Sequence, residues 1–160
     1  MPQVQKPAEF AAVDGVDSRY LQTLIGYNAR RASLAVIELF HKRMAVYGLR
    51  PVEFSVLSLI VHNPGITSRQ LCAALRLLPP NLVSKISSLE KRFLVERQAH
   101  PQDGRAVGLH ATVAAITLMQ EAERTASRME DDVAASLSAS DKKTLIRLLQ
   151  KLYVQKALNT

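Results

Sequence analysis

Apolar residues recur at helical spacing along most of the chain, and this pattern predicts six helices. The first helix runs from about Ser18 to Tyr47, with Ser18 as its N-cap and Gly48 as its C-terminal stop. Between residues 32 and 40 this helix is apolar nearly all round, so one face of a small domain could not cover it. A second surface must do so, and a partner subunit is the natural one.

Three shorter helices follow the first. The second is predicted over residues 51–61, with Pro51 in its first turn. Thr67 or Ser68 caps the third, and two prolines beginning at Pro79 open the fourth, where a missing N–H group costs nothing. The third and fourth helices therefore form a helix-turn-helix pair, with the fourth in the reading position.

The fourth helix runs directly into two predicted strands. Its apolar residues share one helix face: Leu82, Ile86, Leu89 and Phe93. Beyond them, short runs rich in branched residues, 94–99 and 106–111, are separated by His-Pro-Gln-Asp-Gly-Arg, a sequence typical of a turn. A helix followed by a basic hairpin is the order of elements found in a winged DNA reader.

Two further helices complete the pattern. Thr112 caps the fifth, which is about six turns long, and Ser138 with Asp141 forms a capping box at the start of the sixth. The inward face of the sixth is predicted to hold Leu145, Leu148, Leu149, Leu152 and Tyr153. The fold class is therefore mainly α with a small β-hairpin wing: a winged helix-turn-helix domain flanked by N- and C-terminal dimerisation helices.

The same pattern divides the chain into four parts. Residues 1–17 are a flexible lead-in, 18–47 the first dimerisation helix, 48–111 the winged helix-turn-helix region and 112–160 the C-terminal dimerisation helices. A length of 160 residues allows one core but is short for two independent domains.

Residues from the end of the fourth helix to the start of the fifth resemble the MarR family of bacterial transcriptional regulators. That family follows its recognition helix with L-x-x-x-G-L-V-x-R, then a D-x-R wing signature, and then a helix that opens with L-T-x-x-G. The corresponding residues here are Leu89, Leu94, Val95 and Arg97, then Asp103, Gly104 and Arg105, then Ala111, Thr112 and Ala115. The resemblance extends from about Ser18 to Leu158 and implies a dimer held by helices from both ends of the chain.

Four positions depart from the family pattern. Phe93 stands in place of the usual glycine before the first strand, Ala111 in place of leucine, and Ala115 in place of glycine. Ser84 stands where the family commonly places arginine in the recognition helix. Base readout is therefore expected to differ from that of typical members.

The charge distribution favours a polyanionic partner. The net charge is +7, and between Arg50 and His110 eight basic residues face four acidic ones, so more than half of the excess lies in the predicted reader. No glycine-rich phosphate loop, Cys/His dyad or carboxylate pair is present, so an enzyme is not expected. No cofactor is predicted.

Localisation is predicted to be cytoplasmic. Uncharged stretches reach only 15 residues, less than the roughly 20 apolar residues of a membrane helix. The N-terminus lacks the pattern of a signal peptide, and a single cysteine fits a reducing compartment.

Several side chains are predicted to contact DNA. The polar face of the fourth helix offers Asn81, Ser84, Lys85 and Ser88 to base edges or phosphates, unless this face is simply solvated. Ser68 and Arg69 at the start of the third helix are candidates for phosphate contacts, together with Thr67.

The predicted wing carries the other DNA contacts. Arg105 resembles the family arginine that enters the minor groove, and Asp103 would orient it or pair with Arg97. Arg97 itself either contacts DNA or braces the hairpin. His100 is placed to reach a phosphate.

Effector and metal sites are less well defined by the sequence. The resemblance implies a small aromatic or anionic effector, for which Tyr27, Arg30, Arg31 and His41 are the candidate contacts. No two histidines have a metal-ligand spacing, so no metal site is predicted. Cys72 lies between Leu71 and Leu75 on an apolar face and is interpreted as a core residue rather than a redox sensor.

These observations predict a sequence-specific transcriptional regulator, a homodimeric repressor that binds an inverted-repeat operator of double-stranded DNA and responds to a small effector. The alternative is a winged-helix module that binds a protein partner instead of DNA.

Overall fold

The computed structural model describes residues 15–100 and 103–154, except for the side chains of His100 and of residues 103–106. Within those ranges it confirms a mainly helical chain with a small antiparallel sheet. The helices are α1 (Arg19–Gln22), α2 (Ile25–Met44), α3 (Pro51–His62), α4 (Ser68–Leu75), α5 (Pro79–Lys91), α6 (Val113–Val133) and α7 (Ala139–Val154). The strands are β1 (Ile66–Thr67), β2 (Val95–His100) and β3 (Asp103–Ala111).

Contacts divide the chain into an N-terminal unit that ends at Ala35 and a larger unit that begins at Val36. In the N-terminal unit the predicted single helix from Ser18 is wrong, because a break separates α1 from α2. Asn28 donates its side-chain amide to the carbonyl oxygens of Gln22 and Leu24, both at 2.8 Å. A side chain thus occupies the Gln22 carbonyl that a backbone N–H would use in a continuous helix.

The two ends predicted for the first helix, Ser18 and Gly48, differ in outcome. Gly48 adopts a left-handed conformation, with φ of 60°, after a 3₁₀ turn over Ala45–Tyr47, and this confirms the predicted stop. Ser18 occupies the N-cap position of α1, but its side chain does not cap the helix. Instead Asp17 accepts a hydrogen bond from the Arg19 backbone N–H at 3.0 Å.

The core of the larger unit lies where α3, α5, α6 and the sheet meet. Its fully buried side chains come from every one of these elements, from α4 and from the end of α2: Met44, Val56, Leu57, Ile60, Leu71, Leu82, Ile86, Leu89, Leu109, Ala115, Met119 and Ala122. The helical spacing in the fourth helix predicted three of these residues, Leu82, Ile86 and Leu89. Phe54 on α3 is only partly buried and meets Phe40 edge-on with ring centroids 5.6 Å apart.

Local capping signals fix where the helices of this unit begin. Thr67 caps α4 and exchanges hydrogen bonds with Gln70, which decides between the two predicted caps. The Thr112 hydroxyl oxygen accepts from the backbone N–H of Ala115 at 3.2 Å. Ser138 and Asp141 form the predicted box at the start of α7.

The sheet has the order β1-β3-β2, with antiparallel pairing throughout. The two residues of β1 were not predicted; Ile66 pairs with Leu109 and Thr67 with Gly108. The predicted six-residue turn is too long, because the ladder between β2 and β3 continues to a pair formed by His100 and Asp103. The wing is therefore longer than the branched residues alone indicate.

The C-terminal helix departs from its prediction. Leu145, Leu148, Leu149, Leu152 and Tyr153 were expected to face inward, yet α7 has no buried residue. These five side chains are between 43% and 55% exposed in the single chain. Within the described residues the prediction of an inward face is therefore wrong for a single protomer, because none of these five side chains is buried.

Among the described residues no single helix is long and apolar enough to cross a membrane. The segments Ile25–Tyr47 and Pro51–His62 are long and apolar enough only when they are counted together, and they meet at a bend of 62°.

Phe93 was placed on the buried face of the reading helix, and this is wrong. The residue follows the end of α5 with a φ of +57°, a left-handed conformation that costs a side-chain-bearing residue free energy. Its ring is 81% exposed. The chain needs a left-handed turn here to lead α5 into β2, and glycine would adopt it without strain.

We expect Phe93→Gly to stabilise the protein by about 0.5 to 1 kcal/mol, since the lost strain exceeds the added chain entropy and little burial is lost. Thermal denaturation at fixed protein concentration should show a higher midpoint. Val46 is also 81% exposed but lies in a helical turn without positive φ, so Val46→Gly should lower the midpoint. A lower midpoint for Phe93→Gly would mean that the ring is packed in the native assembly.

Candidate nucleic-acid interface

The outward face of α5 holds two of the predicted DNA contacts side by side. Asn81 and Ser84 are exposed, and Lys85 is partly exposed. The Ser84 hydroxyl donates to the Asn81 backbone carbonyl at 3.1 Å. The buried face of the same helix is formed by Leu82, Ile86 and Leu89. An amphipathic helix with a short polar outer face is thus held against the core.

Ser88, the fourth predicted contact on this helix, is turned toward the protein. Its hydroxyl donates to the Glu53 carboxylate at 3.3 Å, and Glu53 is only 8% exposed. The same carboxylate accepts the Arg50 backbone N–H at 3.2 Å, as part of the capping box at the start of α3. Glu53 therefore ties the first turn of α3 to the middle of α5. A DNA contact by Ser88 stays a prediction that would require this bond to open.

Arg97 connects the wing to the reading helix. Its Nε donates to Glu90 Oε1 at 2.6 Å and its terminal nitrogen to Glu90 Oε2 at 3.3 Å. This two-point pairing fixes the planar guanidinium against the carboxylate and so fixes β2 relative to α5. Of the two predicted roles, bracing is the one with an observed partner. The Asp103 side chain, which we considered as a partner, lies outside the described residues.

Next to the wing tip, residues 100 and 103–106 are described only by their backbone. Arg105 and Asp103 both lie in β3, and His100 ends β2, but their side chains lie outside the described residues. The predicted minor-groove contact of Arg105, the orienting role of Asp103 and the phosphate contact of His100 therefore stay predictions.

The start of α4 places the predicted phosphate contacts on the surface. Ser68 is partly exposed and Arg69 is exposed. The Thr67 side chain is already used by Gln70, at 3.3 Å from its backbone N–H. The phosphate contacts of Ser68 and Arg69 stay predictions.

The start of α5 differs from that of α4 in the backbone N–H groups that are available to bind a phosphate. Pro79 and Pro80 have no N–H, and the next two N–H groups, of Asn81 and Leu82, both bond to the Leu78 carbonyl at 3.0 and 3.2 Å. The first turn of this helix therefore has no N–H group left to hold a phosphate. Contacts made by α5 must come from its side chains.

Further hydrogen bonds tie the reader to the other helices of its unit. Glu123 on α6 accepts from Ser58 at 2.8 Å and lies 2.9 Å from the His62 ring nitrogen, both on α3. Arg92 at the end of α5 donates to the Tyr47 and Gly48 carbonyls, each at 2.8 Å. These bonds join α6 to α3, and the end of α5 to the turn after α2.

A separate contact joins the reader to the last helix. Arg76, in the turn between α4 and α5, donates to the Tyr153 carbonyl near the end of α7 at 3.1 Å. Arg76 has a left-handed backbone with φ of 50°, which lets it end α4 and turn the chain toward α5. A guanidinium at the C-terminal end of a helix is also favoured by the helix dipole.

The predicted effector contacts are divided between the two units. Tyr27, Arg30 and Arg31 lie on the part of α2 that belongs to the N-terminal unit, and His41 lies on the part that belongs to the larger unit. Tyr27 is partly exposed and the other three are exposed. Their role stays a prediction. Cys72 is partly buried and packs against the core, as an apolar position on α4 would.

Sequence reasoning missed two features of this surface. Val83 is 54% exposed although it is a branched apolar residue within a helix. Its displacement from the spacing of Leu82, Ile86 and Leu89 was the available signal. Glu90 was not singled out, because the seven-residue separation from Arg97 has meaning only after the chain reverses into the wing.

Comparisons with known proteins agree with this geometry. A family model described as the MarR family matches residues 47–106, which span the reader. The candidate transcriptional regulatory protein for the hcr operon of Thauera aromatica is 30% identical over 132 residues, covering 82% of this chain and 80% of that protein. The chain belongs to the MarR family. It is a MarR-family transcriptional regulator.

Solved structures of MarR-type regulators show the same fold. The repressor CouR, solved bound to a 23-mer DNA duplex, is 32% identical with a TM-score of 0.80 and covers 86% of this chain and 97% of its own. CouR from Rhodococcus jostii RHA1, solved with p-coumaroyl-CoA, is 25% identical with a TM-score of 0.76, over 88% of this chain and 96% of its own. Both similarities include the reader and the flanking helices, since they extend over most of the chain.

Proposed function

We propose that this MarR-family regulator is a homodimeric repressor that binds an inverted-repeat operator and responds to a small aromatic acid or its coenzyme A thioester. The observation that carries the proposal is the exposed face of α5, fixed to the wing through Arg97 and Glu90. The similarity to a repressor solved on a DNA duplex supports the DNA partner. A solved relative that holds p-coumaroyl-CoA supports the effector class.

The exposed apolar face of α7 supports a second copy of the chain as its cover. A monomeric protein rarely exposes a contiguous apolar patch of this kind. A two-fold dimer would place two α5 helices in successive major grooves about 34 Å apart, so the operator would be an inverted repeat. An effector that binds one arrangement of the two readers better than the other would shift the population and change DNA affinity.

The proposal is tested by a mobility shift with DNA from upstream of the protein's own coding region at two salt concentrations. Selective, salt-sensitive binding that is altered by p-coumaroyl-CoA, but not by coenzyme A alone, is the expected result. No binding at low salt would instead favour the protein-binding module. Binding that no aromatic acid or thioester alters would contradict the effector class.

We expect Arg105→Ala to weaken operator binding by about 1 to 3 kcal/mol and to flatten the salt dependence by roughly one charge per wing. The reason is that a minor-groove guanidinium displaces a counterion and contacts the narrow groove. A salt titration followed by fluorescence anisotropy measures both quantities.

Arg128→Ala is the matched control, because it removes the same charge from an exposed position on α6, outside the reader. It should leave the slope nearly unchanged. Equal slopes for Arg105→Ala and the wild type would rule out the wing assignment.

A further inference from the structure

Val83 is the apolar residue of the reading helix that the core does not use. Of the four branched apolar residues in α5, all within the described chain, Leu82, Ile86 and Leu89 are at most 1% exposed. Val83 is 54% exposed. A branched side chain at an exposed helix position has a lower helix propensity than alanine, so Val83 does not favour folding through its own helix.

The residues around Val83 are short. Ser84 is its exposed neighbour, and Ser87, one turn further along, is partly exposed. Neither is long enough to hold the helix away from the floor of a groove. The backbone at the start of α5 has no free N–H to anchor a phosphate, so close approach of side chains to base edges is what this helix can offer.

The wing limits how far α5 can rotate about its axis in the groove. Glu90 lies on the same side of the helix as Val83, seven residues further along, and is held by Arg97 of β2. Pairing through two nitrogens leaves little freedom of rotation between the helix and the wing. The position of Val83 relative to the wing is therefore fixed.

We propose that Val83 is a specificity-determining residue that contacts the C5-methyl group of a thymine in each half-site. Thymine is the base that presents a methyl group in the major groove, and an isopropyl group can recognise it only by apolar contact. This inference rests on the proposed function, because it requires α5 to lie in the major groove.

The test uses full-length protein and a duplex selected by the wild type from a random library. Each thymine of the selected half-site is then replaced by deoxyuracil, which removes the methyl group and leaves base pairing intact. Burial of one methyl group is worth about a four-fold change in affinity. At the thymine that Val83 contacts, replacement in both half-sites together should therefore weaken wild-type binding about fifteen-fold.

Val83→Ala should lose this sensitivity at that position, while Ser87→Ala, one turn further along the helix, should keep it. Alanine is the better helix former, so the variant should fold, and thermal denaturation checks this. A full deoxyuracil penalty at every position in Val83→Ala would overturn the assignment, as would the absence of any penalty in the wild type. Equal loss in Ser87→Ala would assign the effect to helix placement and would also overturn it.

The proposed function can fail separately. If the wild type enriches no sequence from the library, the DNA-reading function and the role of Val83 fall together. If it enriches an inverted repeat that is indifferent to deoxyuracil, only the role of Val83 falls.

Discussion

Leu149→Asp should convert the protein into a monomer and lower its operator affinity by at least about 100-fold. Leu149 lies near the middle of α7 and is 43% exposed in the single chain. In a two-fold dimer the substitution removes two leucines, each worth about 1.5 to 3 kcal/mol when buried, and places two carboxylates in an apolar interface. The loss of dimerisation free energy should therefore be about 5 kcal/mol or more.

A monomer has one reader and contacts one half-site, so it should bind the operator less tightly than the dimer does. When two readers are joined, the second binds at a high effective concentration, and this link contributes about 10² to 10⁴ in affinity. Sedimentation across a range of protein concentrations measures the oligomeric state. Anisotropy with an inverted repeat and with a single half-site then separates dimer loss from damage to the reader, because half-site affinity should be unchanged.

Gln150→Asp is the matched control for this experiment. Gln150 is the next residue, is also exposed, and lies on the side of α7 away from the leucines. It should stay dimeric. If Leu149→Asp does not fold, Leu149→Ala should still show a melting temperature that falls on dilution more steeply than that of the wild type. A wild-type dimer in both Leu149 variants would contradict the proposed interface.

Helix positions could be predicted from the sequence because their determinants are local. Pro51, Thr67 and Thr112 open helices through a fixed backbone angle or a side-chain cap, and both depend only on the next few residues. The alternation between buried and exposed positions in α5 is also local, with a period of 3.6 residues. The sequence pattern could therefore predict the reading helix and its buried residues.

The features that the sequence did not reveal depend on contacts between distant residues. Strand β1 has two residues and exists because β3 lies beside it, so Ile66 carries no strand signal of its own. The bond from Ser88 to Glu53 joins residues 35 positions apart, and without it Ser88 looks like any serine on a polar face. The apolar face of α7 was recognised, but the pattern alone could not show whether the same chain or another copy covers it.

Gly108→Val should destabilise the protein by about 3 kcal/mol or more. Gly108 lies within β3, between β1 and β2, and pairs with Thr67 on one side and Gln98 on the other. A Cβ atom at this position would lie 3.0 Å from both the Cα and the carbonyl oxygen of Gly65. Both are backbone atoms, so no side-chain rotation can relieve the contact, and overpacking of this kind typically costs about 1 to 3 kcal/mol for extra methylenes alone.

Relief of this contact would require β1 to move away from β3. The Gly65 backbone N–H donates to the Leu109 carbonyl at 2.9 Å, and this bond would be lost with the pairing of Thr67. Because Thr67 also caps α4, the change would loosen the first helix of the reading pair. We therefore expect a loss of operator affinity in the fraction of protein that remains folded, in addition to the loss of stability.

Urea denaturation at fixed protein concentration measures the first effect. Ala99→Val is the matched control, since Ala99 is exposed on the neighbouring strand and pairs with Val107. It adds the same branched carbons to the same sheet without a backbone clash and should change stability by less than about 0.5 kcal/mol. A Gly108→Val midpoint equal to that of Ala99→Val would mean that the two glycine backbones do not approach this closely, and would contradict the prediction.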